Sequence, residues 1–363
     1  MISCDVIIVG GGPAGSSCAW KLQQAGCDVI VADGARFPRN KPCAGWITPP
    51  VLDALQLNVE DYRRGRVFQP IRSFAVGLID GGATVPAMYD EAVSFAIRRC
   101  EFDDYLLQRC GARLRLGQPV SSIARAGGGW MIDDAVRAPV LVGAGGHFCP
   151  VARLLNARGS PAPLVVAQEA EWPVSGEPCE PGGPELYFCP DLKGYGWVVP
   201  KQGHLNVGIG RLDRRSLPQA LAGFLVFLRD RRQLWPPAGV RWAGHAYLLR
   251  DARHRRVIDD GVLLAGDAAG LADARSGEGI RQAIESGLAA ADTIVDAGGS
   301  YSRERLEPYA AWMFRDVTSG APGRLRARAG ASGAGRGIGR WLLRRPAFVR
   351  HVVLDRWFLH RAS

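Results

Sequence analysis

The sequence has no long apolar run. Its longest candidate, Ala220 to Leu228 (ALAGFLVFL), lies between Pro218 and Arg229. That is far short of the roughly 20 residues that cross a bilayer as a helix. Paired cysteines are missing too. The nine cysteines (Cys4, Cys18, Cys27, Cys43, Cys100, Cys110, Cys149, Cys179 and Cys189) are odd in number, and none forms a Cys-x-x-Cys pair. A zinc or iron–sulfur site therefore has no spacing signature. The opening MISCDVIIVGGG reads directly as a strand, leaving no room for an export signal. The expected setting is the cytoplasm, with reduced thiols, most of them small core residues.

No internal repeat or biased tract is present, and 47% hydrophobic against 22% charged residues excludes a disordered chain. Acid is scarce at one end. From Gly323 to Ser363, Asp355 faces Arg324, Arg326, Arg328, Arg336, Arg340, Arg344, Arg345, Arg350, Arg356 and Arg361. The net charge of +10 is thus local to the tail, and an anionic partner is expected there.

What is present begins with Asp5 to Gly10 (DVIIVG), a β-branched run bounded by glycine that predicts a buried parallel strand. A helical pattern follows through SSCAWKLQQAG, then a second strand, Cys27 to Asp33. Between strand and helix, Gly10, Gly12 and Gly15 give G-x-G-x-x-G, with Pro13 and Ala14 inside it. The first glycine allows the turn, the second lets backbone approach a pyrophosphate, and the third lets helix pack on strand. Asp33 stands where a carboxylate binds a ribose hydroxyl. The middle of the chain predicts short strands, among them Phe74–Leu78, Val165–Glu171, Glu185–Cys189, Trp197–Val199 and Leu205–Gly210. A helix is predicted from near Arg99.

Far downstream, LLAGDAAGLADARSGEGIRQAIESGLAAA returns to a buried strand and a small-residue corner. Gly266 and Asp267 follow that strand, and Gly277, Glu278 and Gly279 open the next helix, whose dipole suits negative charge. The Glu278 backbone matters more here than its carboxylate. A dinucleotide site assembled from both chain ends, with strands inserted between, favours FAD over NAD.

With these residues in place the sequence resembles the FAD-dependent geranylgeranyl reductase family, within the para-hydroxybenzoate-hydroxylase-like flavoproteins. The resemblance spans about residues 4 to 300 and rests on five segments in order. They are GGGPAGSSCAWKL, RFPRNKPCAG, RRCEFDDYLL, YFCPDLKGYGWVVPKQGHLNVGIG and GDAAGLADARSGEGIRQA. It implies a Rossmann-type FAD-binding domain (residues 1–70, 95–160 and 255–300) in an α/β fold. An inserted, mainly antiparallel β-sheet domain (71–94 and 161–254) would hold substrate, and 301–363 would form a basic helical region. There are departures. Gly145 stands where the hydroxylase group carries an aspartate linked to NAD(P)H docking, and Ala274 or a neighbour replaces a proline before Gly-Glu-Gly.

The resemblance implies reduction of carbon–carbon double bonds in an isoprenoid or other lipophilic substrate, with NAD(P)H or another donor supplying electrons. The alternatives are an aromatic monooxygenase acting on a lipophilic phenol or quinone precursor, and a flavin electron carrier. It places Cys43 near the flavin ring, where the thiol positions substrate or relays a proton; a loop cysteine chosen for size is the alternative. Arg99 becomes an FAD contact through its bidentate fork, with Arg39 and Lys41 as further cations. Gly45, Tyr195, Trp197 and Pro200 form the substrate wall, the two aromatics sharing one strand face and Pro200 ending the pairing. His147 and Cys149 read as turn and packing residues, His204 and His245 as structural ones. In the tail, Trp341, Phe348, Trp357 and Phe358 interleave with arginines, which suits either peripheral contact with the inner face of the membrane or a capping helical subdomain. No nucleic-acid module accompanies it. Oligomeric state has no signature.

Overall fold

Strands Val6–Val9, Val29–Asp33 and Val140–Gly143 leave almost nothing polar to expose, as parallel strands covered on both faces require. The computed structural model describes residues 1–157, 164–174, 182–250, 255–315 and 333–361. These strands form the centre of a six-stranded sheet, flanked by Ile258–Asp259 and Val262–Leu264 on one side and Arg113–Leu116 on the other. All its pairs are parallel except Ile258–Asp259 with Val262–Leu264. Val6–Val9 pairs with the next strand in sequence on one side and with Val140–Gly143 on the other. Chain order therefore reverses at its C-terminal end, where open α/β sheets take their ligands.

Helix Pro13–Gln24 packs closely on this sheet because glycine permits it. A Cβ on Gly15 would lie 1.9 Å from the Gly10 carbonyl oxygen. Helix Ile280–Asp296 crosses Pro13–Gln24 by the same means, since a Cβ on Gly287 would lie 2.2 Å from the Ala14 oxygen. The two ends of the sequence motif are thus joined through glycine contacts.

The second layer is a seven-stranded sheet in the order Ala243–Leu248, Leu164–Pro173, His204–Arg211, Gly194–Lys201, Glu185–Phe188, Ser73–Leu78, Val85–Met88. It is antiparallel except where Glu185–Phe188 meets Ser73–Leu78. Period-two alternation divides its faces. Val166, Ala170, Trp172, Tyr187, Val198, Val207 and Ile209 pack under helix Leu217–Arg232, against Leu217, Phe224 and Leu228. The opposite face looks toward the parallel sheet. Pro200 does not end the pairing: it sits opposite Leu205, and Lys201 opposite His204 closes the hairpin. The neighbour on its other side pairs only as far as Glu185 opposite Val198, so proline's missing N–H costs that ladder nothing.

The C-terminal region corrects two expectations. The stretch AGASGAGRGIG predicts a glycine-rich break in the tail, yet helix Gly333–Leu342 runs through its described part. Its glycines permit close approach, since a Cβ on Gly339 would lie 2.6 Å from Leu192 Cδ1. Beyond it the π-helix Val349–Phe358 buries Val349, Val353, Leu354 and Phe358 in one cluster with Trp46, Phe74, Phe188 and Trp197. Phe358 is therefore a core residue rather than a membrane-facing one. Trp341 and Ile338 remain 53% and 61% exposed. Arg324, Arg326, Arg328 and Cys179 lie outside the described residues. Among the described residues no helix is long and apolar enough to cross a membrane.

Candidate functional site

A cavity of about 350 Å³ lies between the parallel sheet and the inward face of the antiparallel one. On the first side it is walled by Gly12, Pro13, Ala14, Asp33, Gly145 and Gly146, and by the corner from Gly266 to Gly279. Gly10 and Gly15 lie beneath this wall. Gly10 has φ +114°, and a Cβ there would sit 2.4 Å from the Ala144 carbonyl.

Two helices begin on this wall. Pro13–Gln24 starts from Gly12 and Ile280–Asp296 from Gly279, and neither first turn is capped by a side chain. Their N–H donors and positive dipole ends are available to an anion, which is what a pyrophosphate requires. Asp33 is fixed at the strand end, Oδ2 accepting from the Gly11 amide at 2.7 Å and Oδ1 from the Ala35 amide at 2.8 Å. The cation beside Gly12 is Arg39, whose Nη2 would lie 3.2 Å from a Cβ at that glycine. Arg99 lines the cavity too, but its fork is already bound: Nε and Nη2 donate to Asp103 at 2.9 and 3.0 Å. Arg39 meets the same carboxylate at 3.3 Å, so Asp103 holds two guanidinium groups in register.

At the second motif Asp267 accepts from Lys41 Nζ at 3.2 Å and faces His245 Nε2 at 3.1 Å. Burial opposes its ionisation, yet Lys41 and His245 outweigh it and hold the carboxyl well below the usual range. Burial, helped by the Lys41 charge, keeps His245 below its ordinary value. The Glu278 carboxylate is turned aside. It pairs with His360 at 2.7 Å and ties the C-terminal segment to the rim, while Glu278 itself lines the cavity.

The other wall is apolar and aromatic at its centre. Tyr195 and Trp197 share a strand face as the alternation predicts, and Phe358 meets Tyr195 edge-on at 5.3 Å. Trp46 completes this wall, and Pro200 stands outside it. Trp197 Nε1 donates to Asn206 Oδ1 at 2.7 Å, and Asn206 Nδ2 donates to the Cys43 carbonyl at 3.3 Å. Cys43 and Gly45 therefore form one edge of the cavity, held from the sheet. Gly45, at φ +75°, is glycine for a second reason: a Cβ would lie 2.4 Å from Lys201 Nζ.

Sequence reasoning missed three groups of this wall and one beneath it. His245, read as structural, reaches the cavity because strand alternation puts it beside Ala167 on the inward face. Tyr247 follows two residues later on the same face. Glu169 also lines the cavity, and Lys201, fully buried, bonds Glu171 at 2.7 Å. The signal was alternation itself: carboxylates at 169 and 171 sit two apart in a mostly apolar strand. His147 lines the cavity as well, whereas Cys149 is a core residue.

Fold and site together define a flavoprotein oxidoreductase. Residues 8–38 match the model of the NAD(P)-binding Rossmann-like domain. The menaquinone reductase of Mycolicibacterium smegmatis is 30% identical over 325 residues, 81% of this chain and 77% of that protein. The geranylgeranyl diphosphate reductase of Rhodobacter capsulatus is 29% identical, covering 90% of this chain and 79% of that one. A geranylgeranyl bacteriochlorophyll reductase-like structure from Thermoplasma acidophilum superposes with a TM-score of 0.75 at 19% identity, covering 97% of this chain and 99% of that one. The chain belongs to the geranylgeranyl reductase family of flavin-dependent enzymes.

Proposed function

We propose that the protein reduces carbon–carbon double bonds in an isoprenoid or other lipophilic substrate, using FAD. One observation carries this reading. A single cavity joins a glycine-lined anion cradle to an apolar wall of Trp46, Tyr195, Trp197 and Phe358. FAD, when bound, supplies hydride chemistry, and its electrons come from NAD(P)H or another donor. Around it Gly12, Asp33, Arg39, Gly266, Asp267 and Gly279 hold the dinucleotide. The aromatic wall orients the substrate and excludes water. Cys43 positions the substrate at the cavity edge. The exposed Ile338 and Trp341, with Arg336, Arg344 and Arg345 around them, fit a peripheral contact through which a lipid-borne substrate is reached.

The test is anaerobic product analysis with chemically reduced enzyme and isoprenoid lipids presented in anionic or neutral vesicles. The expected product gains two hydrogens per double bond, and it forms faster from anionic vesicles. Oxygen-dependent hydroxylation of an aromatic substrate, with every isoprenoid double bond left intact, would overturn the reading. Equal rates from both vesicles would remove the membrane contact alone.

A further inference from the structure

We propose that Glu169 is the acid that protonates the substrate carbon left behind when hydride adds to the double bond. This rests on the reductase reading above. Glu169 sits on strand Leu164–Pro173, lines the cavity, and is only 7% exposed. Its Oε2 has no hydrogen-bond partner among the described residues, although it is buried. A buried carboxyl oxygen without a partner is costly unless it faces something that arrives later. Its stem lies against Gly208 and beside the Trp197 ring, since a Cβ on Gly208 would meet both at under 3 Å. The group is thus held at the floor of the aromatic wall, where an apolar chain would rest.

The charged and titratable groups around it come from each neighbouring element. They are Lys201 from Gly194–Lys201, Glu171 from its own strand, Cys43 from the loop, and Arg98 bound to Glu171 at 2.8 Å. Asn206 Nδ2, from the neighbouring strand, donates to Glu171 Oε2 at 3.4 Å rather than to Glu169. Burial pushes its carboxyl up to about 7, against the pull of Lys201. A proton is therefore present in about half of the molecules at neutral pH, and the carboxylate that remains after transfer is balanced by a buried ammonium.

The balance closes. The π bond breaks, and hydride from reduced flavin brings both electrons of one new C–H bond. The Oε2 proton of Glu169 makes the other, using the π electrons. The carboxylate regains its proton from water between turnovers.

Two measurements test this. Infrared titration of the flavin-free full chain should show a protonated carboxyl band that disappears near pH 7 and is absent from Glu169→Gln. Single-turnover reduction by Glu169→Gln should be slowed about a hundredfold or more, the range of general acid catalysis. Flavin binding should change less than about twofold, and Glu169→Asp should recover part of the rate. Cys43→Ser is the comparison. If it abolishes turnover while Glu169→Gln leaves the rate intact, the thiol is the acid and the proposal fails. A band titrating in the ordinary carboxylate range also overturns it. Wild-type enzyme that reduces no isoprenoid double bond overturns the reductase reading and this role with it, whereas active wild type with unimpaired Glu169→Gln overturns this role alone.

Discussion

The two walls of the cavity are built by opposite means. The cofactor wall is largely backbone: glycines at 10, 12, 15, 145, 266, 277 and 279, two uncapped helix starts, and few side chains. The substrate wall is nearly all side chain, projected from four neighbouring strands and completed by Trp46 and Phe358, with Lys201, Glu171, Glu169 and Asn206 beneath an aromatic surface. A dinucleotide has one shape and one charge, so backbone N–H groups and dipoles suffice to hold it. A lipophilic chain offers no such handle. Its wall must be shaped by packing, and any chemistry must come from side chains buried under it. The first wall should therefore fail when anything is added, and the second when a group is removed.

The largest effect on the cofactor is expected from Gly15→Val. Its Cβ would stand 1.9 Å from the Gly10 carbonyl, a contact that backbone cannot relieve without opening the turn. Flavin affinity should fall at least tenfold, about 1.4 kcal/mol or more. The absorbance ratio of flavin to protein in the purified variant measures it. Retention of full flavin would mean that the cradle is not what holds the cofactor.

Removing charge from the other wall comes next. Lys201→Met leaves Glu171 buried with Arg98 and Asn206 as its remaining partners, and should cost about 3 kcal/mol, the lower end for a broken buried pair. Flavin content should hardly change at neutral pH. The sign with pH is fixed by Glu171. Burial would raise its pKa, but Lys201 and Arg98 together lower it. Its contribution is thus present above the ordinary carboxylate range and is lost as pH falls through its depressed value. The melting-temperature gap between wild type and Lys201→Met should therefore narrow as pH is lowered. Glu169 runs the other way. Its raised value means its contribution is complete below the ordinary carboxylate range and is lost as pH rises through about 7. A gap independent of pH would show that the network is not ionised as described.

The contrast also explains what could be read in advance. The cofactor wall was legible because its residues are local: strand, glycine turn and helix follow one another within Asp5 to Asp33, and again from Leu263 to Gly279. Tyr195 and Trp197 were legible as a pair because they lie two apart on one strand. Glu169, Lys201 and His245 were not, since they come together only through pairing of His204–Arg211 with Gly194–Lys201 and Leu164–Pro173, and of Leu164–Pro173 with Ala243–Leu248. The partner of the Arg99 fork was not read in advance either. Asp103 lies four residues on along the same helix, the spacing at which side chains meet, and it takes the guanidinium first. The tail misled by composition. Its aromatics interleave with arginines in sequence, but the π-helix Val349–Phe358 turns Phe358 inward, while Trp341, on helix Gly333–Leu342, stays exposed.

The smallest effect should come from Trp197→Phe, and it separates the two jobs of the substrate wall. The substitution keeps an aromatic ring against Tyr195 but removes the Nε1 donor that Asn206 accepts at 2.7 Å. Asn206 keeps its donor contacts to the Cys43 carbonyl and to Glu171, so the loss is one neutral hydrogen bond, about 1 kcal/mol of stability. The wall stays apolar, so substrate affinity should move little. If the indole N–H only packs the wall, the turnover rate should be unchanged as well. A fall in turnover at constant KM and constant flavin content would mean something more specific. Asn206, released at one end, would then no longer hold the Cys43 loop and Glu169 in register. The aromatic strand would be fixing the polar floor as well as shaping the apolar surface above it.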